Sequence, residues 1–296
     1  MKKLITYTCL AAACFFTAAC SQDTKKEAKK EAKRQAMEKA ANAFAYDLEN
    51  PFKYDMPSDL LEISGIAFDK GNNALLYAQQ DEDGNIYTLK PGDKKAKRIS
   101  FGKSGDYEDL AIVNGFAVVM RSDGSFFSFK LSEVNGNKAN NVKEAKKILP
   151  KGEYESLFAD GNTLYVLCKQ SPNSDNKKDS PGYTLSLSAQ GDISKTGTFN
   201  IDVKKITSFL DDDKLKFRPS AMAKNPVTGE WYVVSSINKL LVVLDRNWNP
   251  VGAYPINPKY FRQAEGIAFD SQANLYISNE GDEISPGNLL LFKRKQ

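Results

Sequence analysis

Three glutamates stand at the start of apolar, strand-like runs that repeat along the chain: Glu108 in YEDLAIV, Glu155 in YESLF and Glu265 in AEGIAFD. Ser64 in EISGIAFD and Ser220 in PSAMAKNP occupy the equivalent position in two further copies. Carboxylate and hydroxyl oxygens suit Ca²⁺, which accepts several carboxylates in flexible geometry. The chain has no histidine, which excludes imidazole-dependent metal sites and the Ser-His-Asp and Cys-His forms of catalysis.

The motif recurs roughly every 45 residues, a spacing typical of propeller blades. Each repeat divides into four short strand signals, such as ISGIAFD, NALLYAQQ, NIYTLKP and KAKRISFG in the first. The fifth repeat ends after three strands, and NPFKYDMPSD, which precedes the first motif, resembles the missing fourth. The sequence therefore predicts an all-β, five-bladed propeller over residues 50–296, closed by a strand around Phe52 to Met56.

The interval between Glu155 and Ser220 is longer than the others. We interpret its extra residues as an exposed loop from Gln170 to Gly182 and a short helical connection within SFLDDDKLKF, because the first run is rich in Pro, Ser and Asn. A hidden sixth blade in this interval is the alternative.

The first strand of each propeller blade lines the central channel, so Glu108, Glu155 and Glu265 are expected to converge at one end of it. Three like charges in a narrow channel repel one another, so either their pKa values rise or a cation sits among them. We predict a Ca²⁺ ion held by these glutamates, with Ser64 and Ser220 contributing hydroxyls. Alternatively, the glutamates bond backbone amides of adjacent blades and lock the ring.

Further polar residues are predicted to surround the same end of the channel. Glu62 and Arg218 lie two positions before a motif residue, on the same side of an extended strand. Asp81, Arg121 and Glu280 lie where the second strand of a blade ends. We predict an acidic ligand mouth in which the two arginines contact an anion or a carboxylate, and a solvated rim of ion pairs is the alternative.

The N-terminus has the features of a bacterial lipoprotein signal peptide. Two lysines precede the apolar stretch LITYTCLAAACFF, and two alanines precede Cys20. We predict a lipoprotein signal peptide over residues 1–19 and a lipid on Cys20. Residues 20–49 then form a charged helical linker, because TKKEAKKEAKRQAMEKA is a strong helix former. An ordinary secretory signal is the alternative.

The formal net charge of +4 belongs to the N-terminal segment, where residues 1–40 contain nine Lys/Arg and four Asp/Glu. The remaining chain is close to neutral, so no nucleic-acid surface is predicted. After removal of the signal peptide only Cys20 and Cys168 remain, which excludes a disulfide framework. Cys168, in LYVLCKQ, is predicted to be a buried strand residue.

The motifs EISGIAFD, GDYEDLAIV and AEGIAFDSQANLYISNEG resemble those of the SdiA-regulated family of bacterial exported β-propellers. The resemblance covers roughly residues 50 to 296 and includes all five motifs. It implies a five-bladed propeller with a bound calcium ion, and it implies no particular reaction or ligand.

These patterns predict a calcium-binding propeller, lipid-anchored to the cell envelope at the outer or the cell membrane, that acts as a binding or scaffold module. The expected partners are the membrane and an unidentified small molecule or envelope protein. Nucleic acid is not expected, and the chain is expected to be a monomer. The alternative is a calcium-dependent hydrolase of a lactone, ester or phosphoester, with Glu62, Asp81 or Glu280 as the base.

Overall fold

The computed structural model describes residues 27, 28, 31, 35, 43–210, 212 and 214–295. The chain divides into two compact units, Met1–Phe44 and Ala45–Gln296. In the first unit the described residues 27, 28, 31 and 35 are helical, and the Gln35 side chain donates to Glu31 Oε1 at 3.2 Å. The predicted signal peptide and Cys20 lie outside the described residues. No helix in the described part of the chain has the length and apolarity needed to span a bilayer.

The second unit contains five four-stranded antiparallel sheets, the blades of a propeller. In chain order, the strands of the first two blades are β2 Ile63–Phe68, β3 Leu76–Gln80, β4 Asn85–Leu89, β5 Lys97–Ser100, β6 Tyr107–Val113, β7 Phe116–Arg121, β8 Phe126–Lys130 and β9 Lys143–Ala145. Those of the third blade are β10 Glu153–Asp160, β11 Thr163–Gln170, β12 Asp179–Leu187 and β13 Ile193–Asp202.

The remaining two blades complete the ring. Their strands are β14 Ala221–Lys224, β15 Trp231–Ser235, β16 Leu240–Leu244, β17 Pro250–Pro255, β18 Ala264–Phe269, β19 Leu275–Asn279, β20 Asn288–Phe292 and β1 Phe52–Asp55. The helical segments are Val203–Thr207 and the 3-10 turns Ser58–Leu60, Asp69–Gly71 and Leu131–Glu133.

The fifth blade is closed by the N-terminal strand β1. It pairs antiparallel with β20, in a register that runs from Phe52 opposite Leu291 to Asp55 opposite Asn288. The next residue, Met56, donates its amide to Gly287 at 2.8 Å. The predicted closure by this segment, and with it the five-bladed ring, is therefore confirmed.

The first strand of every blade lies innermost. Strands β2, β6, β10, β14 and β18 contact one another in that order, and β18 contacts β2 again. In every blade the chain runs first along the inner strand and then into the second strand beside it. The five inner strands therefore point in the same direction along the channel, and the five motifs begin at the same end of it. We call this end the channel mouth.

The strands are apolar on both faces because each blade is packed between two others. In β7, Val118 and Met120 belong to the core shared with the third blade, whereas Ala117 and Val119 belong to the core shared with the first. Consecutive side chains thus point to opposite neighbours. This explains why FAVVMR shows no hydrophobic–polar alternation.

The long interval between the third and fourth motifs is not a blade. The loop predicted from Gln170 to Gly182 is shorter than expected, because β12 begins at Asp179 and Ser180 is fully buried. The helix also begins earlier than predicted, at Val203, because the Asp202 side chain caps it by accepting from Lys204 N at 3.0 Å. The six-bladed alternative is wrong.

Candidate functional site

The three motif glutamates each lie in a β-bulge at the start of an inner strand. Tyr107 pairs with Arg121 and Asp109 with Met120, which leaves Glu108 between them without a cross-strand partner. The pairing shifts in the same way around Glu155 and around Glu265. A bulge re-aims the side chain of the extra residue, and such features are frequent next to functional sites.

The two serines lie at the corresponding places of the other blades. In the first blade the register shifts between Ile63 and Ile66, a stretch that includes Ser64. In the fourth blade Ser220 directly precedes β14, and its amide donates to Val234 O at 2.9 Å. We call these five motif residues the inner ring.

A second set of side chains comes from the ends of the second strands. In four blades the register places these residues one position beyond the partner of the residue that precedes the motif position. In the fourth blade, Ser236 N donates to Ser220 Oγ at 3.2 Å. We call them the outer ring: Asp81, Ser122, Lys169, Ser236 and Glu280. Three of the five inner-ring residues and two of the outer ring carry carboxyl groups, whereas only Lys169 is a cation.

Gly266 permits the inner strands to approach one another closely. A Cβ atom at this position would overlap the Ser64 carbonyl oxygen and the Ser278 hydroxyl. Ser278 Oγ donates to the same carbonyl at 2.8 Å. The glycine that follows Glu265 is therefore required where β18 meets β2.

Glu155 is held by Lys169. The carboxylate is 6% exposed and the lysine side chain 19%, and Lys169 Nζ donates to Glu155 Oε1. A second carboxylate, that of Glu153, lies 3.9 Å from the same ammonium and is 48% exposed. The ion pair opposes the effect of burial, yet burial still raises the pKa of Glu155 to about 8.

Glu265 has hydroxyl partners, and the charges of Lys169 and Lys239 act on it without a direct ion pair among the described residues. Ser220 and Ser236 hydrogen-bond its side chain, and Ser236 N donates to Ser220 Oγ at 3.2 Å. Burial raises the pKa of Glu265, and these hydrogen bonds only partly oppose the rise. Its carboxyl group is therefore protonated more readily than that of an exposed glutamate.

The carboxyl groups of different blades interact through their charges. Burial raises the pKa of Glu108 to about 9, and the charges of Glu155 and Glu265 add to the rise. Burial raises the pKa of Glu280 to about 8, with further contributions from Glu265 and Asp81. The structure thus brings Glu108, Glu155 and Glu265 into electrostatic contact at the channel mouth, where their ionised forms destabilise one another.

The predicted acidic ligand residues lie beside this group. Burial, followed by the charge of Glu62, raises the pKa of Asp81 to about 6. Asp81 Oδ1 is buried and has no hydrogen-bond donor in the described part of the chain. Glu62 also raises the pKa of Glu280, whose carboxylate accepts from Gln263 Nε2. These three carboxyl groups therefore form one acidic cluster at the mouth.

The two arginines predicted to contact an anion or a carboxylate differ in their partners. Arg121 Nη2 lies 2.5 Å from Asp123 Oδ2, so its guanidinium already has a carboxylate partner two residues away. Arg218 forms no ion pair with any described residue, and its amide donates to Asn238 Oδ1 at 3.0 Å. Of the two, only Arg218 has a guanidinium that is not paired with a carboxylate of the described residues.

Away from the mouth, the inner strands line a small cavity with apolar side chains. The cavity has a volume of about 70 Å³ and is lined by the last residues of the inner strands, including Phe68, Ile112, Phe158 and Phe269.

The donor set at the mouth fits a hard divalent cation, because it consists of carboxylate and hydroxyl oxygens without imidazole or thiolate. In the described residues, however, no group of three acidic, His or Cys side chains converges closely enough to hold a metal ion. Glu155 is turned to Lys169 and Glu265 to two serines. The chemistry therefore suits calcium, and binding requires at least one carboxylate to change partner.

Asp109 is a buried carboxylate at the inner strands that the sequence analysis did not identify. It is buried between inner strands, where its Oδ2 accepts from Leu157 N at 2.6 Å and its Oδ1 from its own neighbour Leu110 N at 2.8 Å. Burial raises the pKa of Asp109 well above its usual value. In the sequence, a charged residue inside the apolar run of β6 is the feature that could have identified it. Its hydrogen bond with Leu157 links the second blade to the third.

Comparison with solved structures supports the propeller fold. Glutaminyl cyclase from Myxococcus xanthus is 12% identical, with a TM-score of 0.55 over 82% of this chain and 94% of that one. A luciferin-regenerating enzyme is also 12% identical, with a TM-score of 0.52 over 82% and 95%. The calcium-binding protein regucalcin from Agrobacterium tumefaciens is 13% identical, with a TM-score of 0.50 over 85% and 95%. At these identities the likeness extends to the fold alone.

A comparison with curated proteins finds no significant match. A family model does match, over residues 187–283, a segment that contains the fourth blade and the first two strands of the fifth, with Ser220, Glu265 and Glu280. That family is SdiA-regulated, so the resemblance indicated by the repeated motifs is confirmed, together with the β-propeller fold that it implies.

Proposed function

We propose that this chain is a binding or scaffold propeller that takes up a cation, Ca²⁺, at the channel mouth. The observation that carries the proposal is the group of buried carboxyl groups, contributed by different blades, whose pKa values are raised by burial and by one another. A buried carboxylate is stable only when it is protonated, hydrogen-bonded or paired with a cation. Lys169 supplies one positive charge to several such groups, so a further cation would be bound favourably.

Calcium is the ion that best matches this environment. Glu108, Glu155 and Glu265 would hold it, with the Ser64 and Ser220 hydroxyls nearby, and Ca²⁺ accepts such mixed oxygen ligands with loose geometry. The bound ion would supply a fixed positive charge that joins blades on different sides of the channel. The fold likeness to regucalcin, a calcium-binding protein, is in keeping with this assignment.

Calcium should raise the melting temperature of the purified propeller, because a ligand that binds only the folded state stabilises it by about 2.7 kcal/mol at a hundredfold excess over Kd. Glu108→Gln should reduce this response strongly. Glu108 is preferable to Glu155 for the test because its replacement leaves no lysine without its partner. Thermal melts in calcium, magnesium and chelator measure the effect.

The matched control is Glu144→Gln, on the outer strand β9, where the carboxylate pairs with Lys146 at 2.8 Å. This variant should keep the full calcium response. If calcium and chelator give the same melting temperature in the wild type, the glutamates are only blade-to-blade locks.

Membrane attachment through Cys20 is the second part of the proposal, and the sequence supports it through the arrangement of the apolar stretch, the two alanines and the cysteine. Mass spectrometry of the membrane fraction should find a mature N-terminus at Cys20 that carries lipid, and Cys20→Ala should abolish the attachment. Recovery of a soluble mature chain beginning at another residue would contradict it.

A further inference from the structure

One positive charge already lies inside the channel mouth. Lys169 contacts the Glu155 carboxylate, and its side chain is 19% exposed, against 29% for the lysine of the ion pair between Lys224 and Asp160. Its position in the outer ring is occupied in the other blades by Asp81, Ser122, Ser236 and Glu280. The third blade is therefore the only one that directs a cation to this place.

The contact depends on the bulge at Glu155. Tyr154 pairs with Cys168 and Ser156 with Leu167, so Glu155 bulges out beside the residue that follows Cys168. The carboxylate and the ammonium thus belong to adjacent strands of one blade and meet without any movement between blades. A metal ion that uses the Glu155 carboxylate has to disrupt this internal pair.

We propose that Lys169 is the residue that sets the cation affinity of the channel mouth, its ammonium holding the Glu155 carboxylate until an incoming cation takes that carboxylate from it. This inference rests on the proposed function, since it concerns the same site. The Lys169 ammonium supplies the positive charge that a bound cation would supply, and it neutralises the Glu155 carboxylate.

A second partner is available for the displaced lysine. Glu153 lies 3.9 Å from Lys169 Nζ and is 48% exposed, whereas Glu155 is 6% exposed. A small rotation of the lysine towards solvent would exchange the buried carboxylate for the exposed one. Glu153 therefore lowers the cost of releasing Glu155, because the ammonium keeps a carboxylate partner.

The internal ammonium lowers the affinity of the mouth for any cation, because the ion pair must be broken first. A divalent ion gains about twice the Coulomb energy of a monovalent ion from the same carboxylates, so it offsets this cost more readily.

Lys169→Met keeps the length of the side chain and removes its charge. Calorimetric titration with calcium should show affinity raised by about tenfold or more, a change that corresponds to the loss of one partly buried charge pair. Sodium at a fixed concentration should compete with calcium more strongly than in the wild type. Lys169→Arg keeps the charge and should retain the weaker affinity, and Glu153→Gln should bind calcium more weakly than the wild type.

Lys224→Met is the matched control. It removes an ion pair of 2.8 Å between Lys224 of the fourth blade and Asp160 of the third, at the end of the channel opposite the mouth. Its calcium affinity should equal that of the wild type. Lys169→Gln serves as a second variant if the Met variant folds poorly, since Gln can still donate to Glu155.

The outcomes separate this inference from the proposed function. Calcium binding by the wild type with unchanged or weaker binding by both neutral variants would overturn the role of Lys169 and leave the calcium site intact. Absence of binding in the wild type and in both variants would overturn the two together. Binding that emerges or strengthens only when the charge is removed supports the inference.

Discussion

Deletion of residues 50–58 should abolish cooperative folding of the propeller or lower its melting temperature by more than 10 °C, at about 2–4 °C for each kcal/mol lost. The deletion removes β1, which pairs with β20 over four residue pairs. It also removes Met56, which is 5% exposed in the core between the fifth and first blades, and Tyr54, which packs against the same core. Burial of one such apolar side chain contributes about 1.5–3 kcal/mol, and β20 would become an exposed apolar edge.

Deletion of residues 24–40 is the control, and it should leave the melting temperature unchanged because β1 remains. A synthetic peptide of residues 50–58 should restore part of the lost stability when added to the shortened chain, since an added strand can pair with a free sheet edge. If the shortened chain melts like the full chain and ignores the peptide, β1 does not carry the closure of the ring.

The propeller and its closure could be predicted because the signals are local. Each repeat contains apolar runs separated by polar turns, and the fifth repeat has three such runs instead of four. The sequence pattern was less informative in the third blade. The composition of Asp179 to Gly182 predicted a loop, but these residues form the start of β12. There the pairing with β13, which places Ser180 opposite Ile201, overrides the turn-like composition.

The partners of the site residues could not be predicted, because they depend on register. The place of Lys169 beside Glu155 follows from a bulge that shifts the pairing by one residue, and no residue type in YESLF announces that shift. Arg121 is the opposite case. Its partner Asp123 lies two residues along the chain, so the sequence RSD already contained the reason why this arginine is not an open anion contact.

The channel mouth should also give the propeller an uncommon pH dependence. Without calcium, the stability of the propeller should fall as pH rises from about 5 to 9, whereas many proteins gain stability on leaving acid. The pKa values of Glu108, Glu155 and Glu280 are raised to about 9, 8 and 8, well above the value of about 4.3 for an unfolded glutamate. Between these limits the folded state binds more protons than the unfolded state, so each rise in pH favours unfolding.

The size of the effect follows from the same linkage. Each pKa unit corresponds to about 1.4 kcal/mol, so even part of these rises should change the melting temperature by about 10 °C. Carboxylates with lowered pKa values, such as that of Asp123 beside Arg121, act in the opposite direction, but only as pH falls below about 4. These carboxylates do not change the stability of the propeller across the pH range from about 5 to 9.

Thermal melts in chelator at pH 5.5, 7.0 and 8.5 test this dependence. The double variant Glu108→Gln with Glu280→Gln should flatten the profile and should be more stable than the wild type at pH 8.5, because the amides cannot ionise. Saturating calcium should reverse the slope in the wild type, since the ion binds the carboxylates that lose their protons. A wild-type profile in chelator that rises steadily from pH 5.5 to 8.5 would show that these carboxyl groups ionise freely in the folded chain, and that the channel mouth does not need a cation to hold them together.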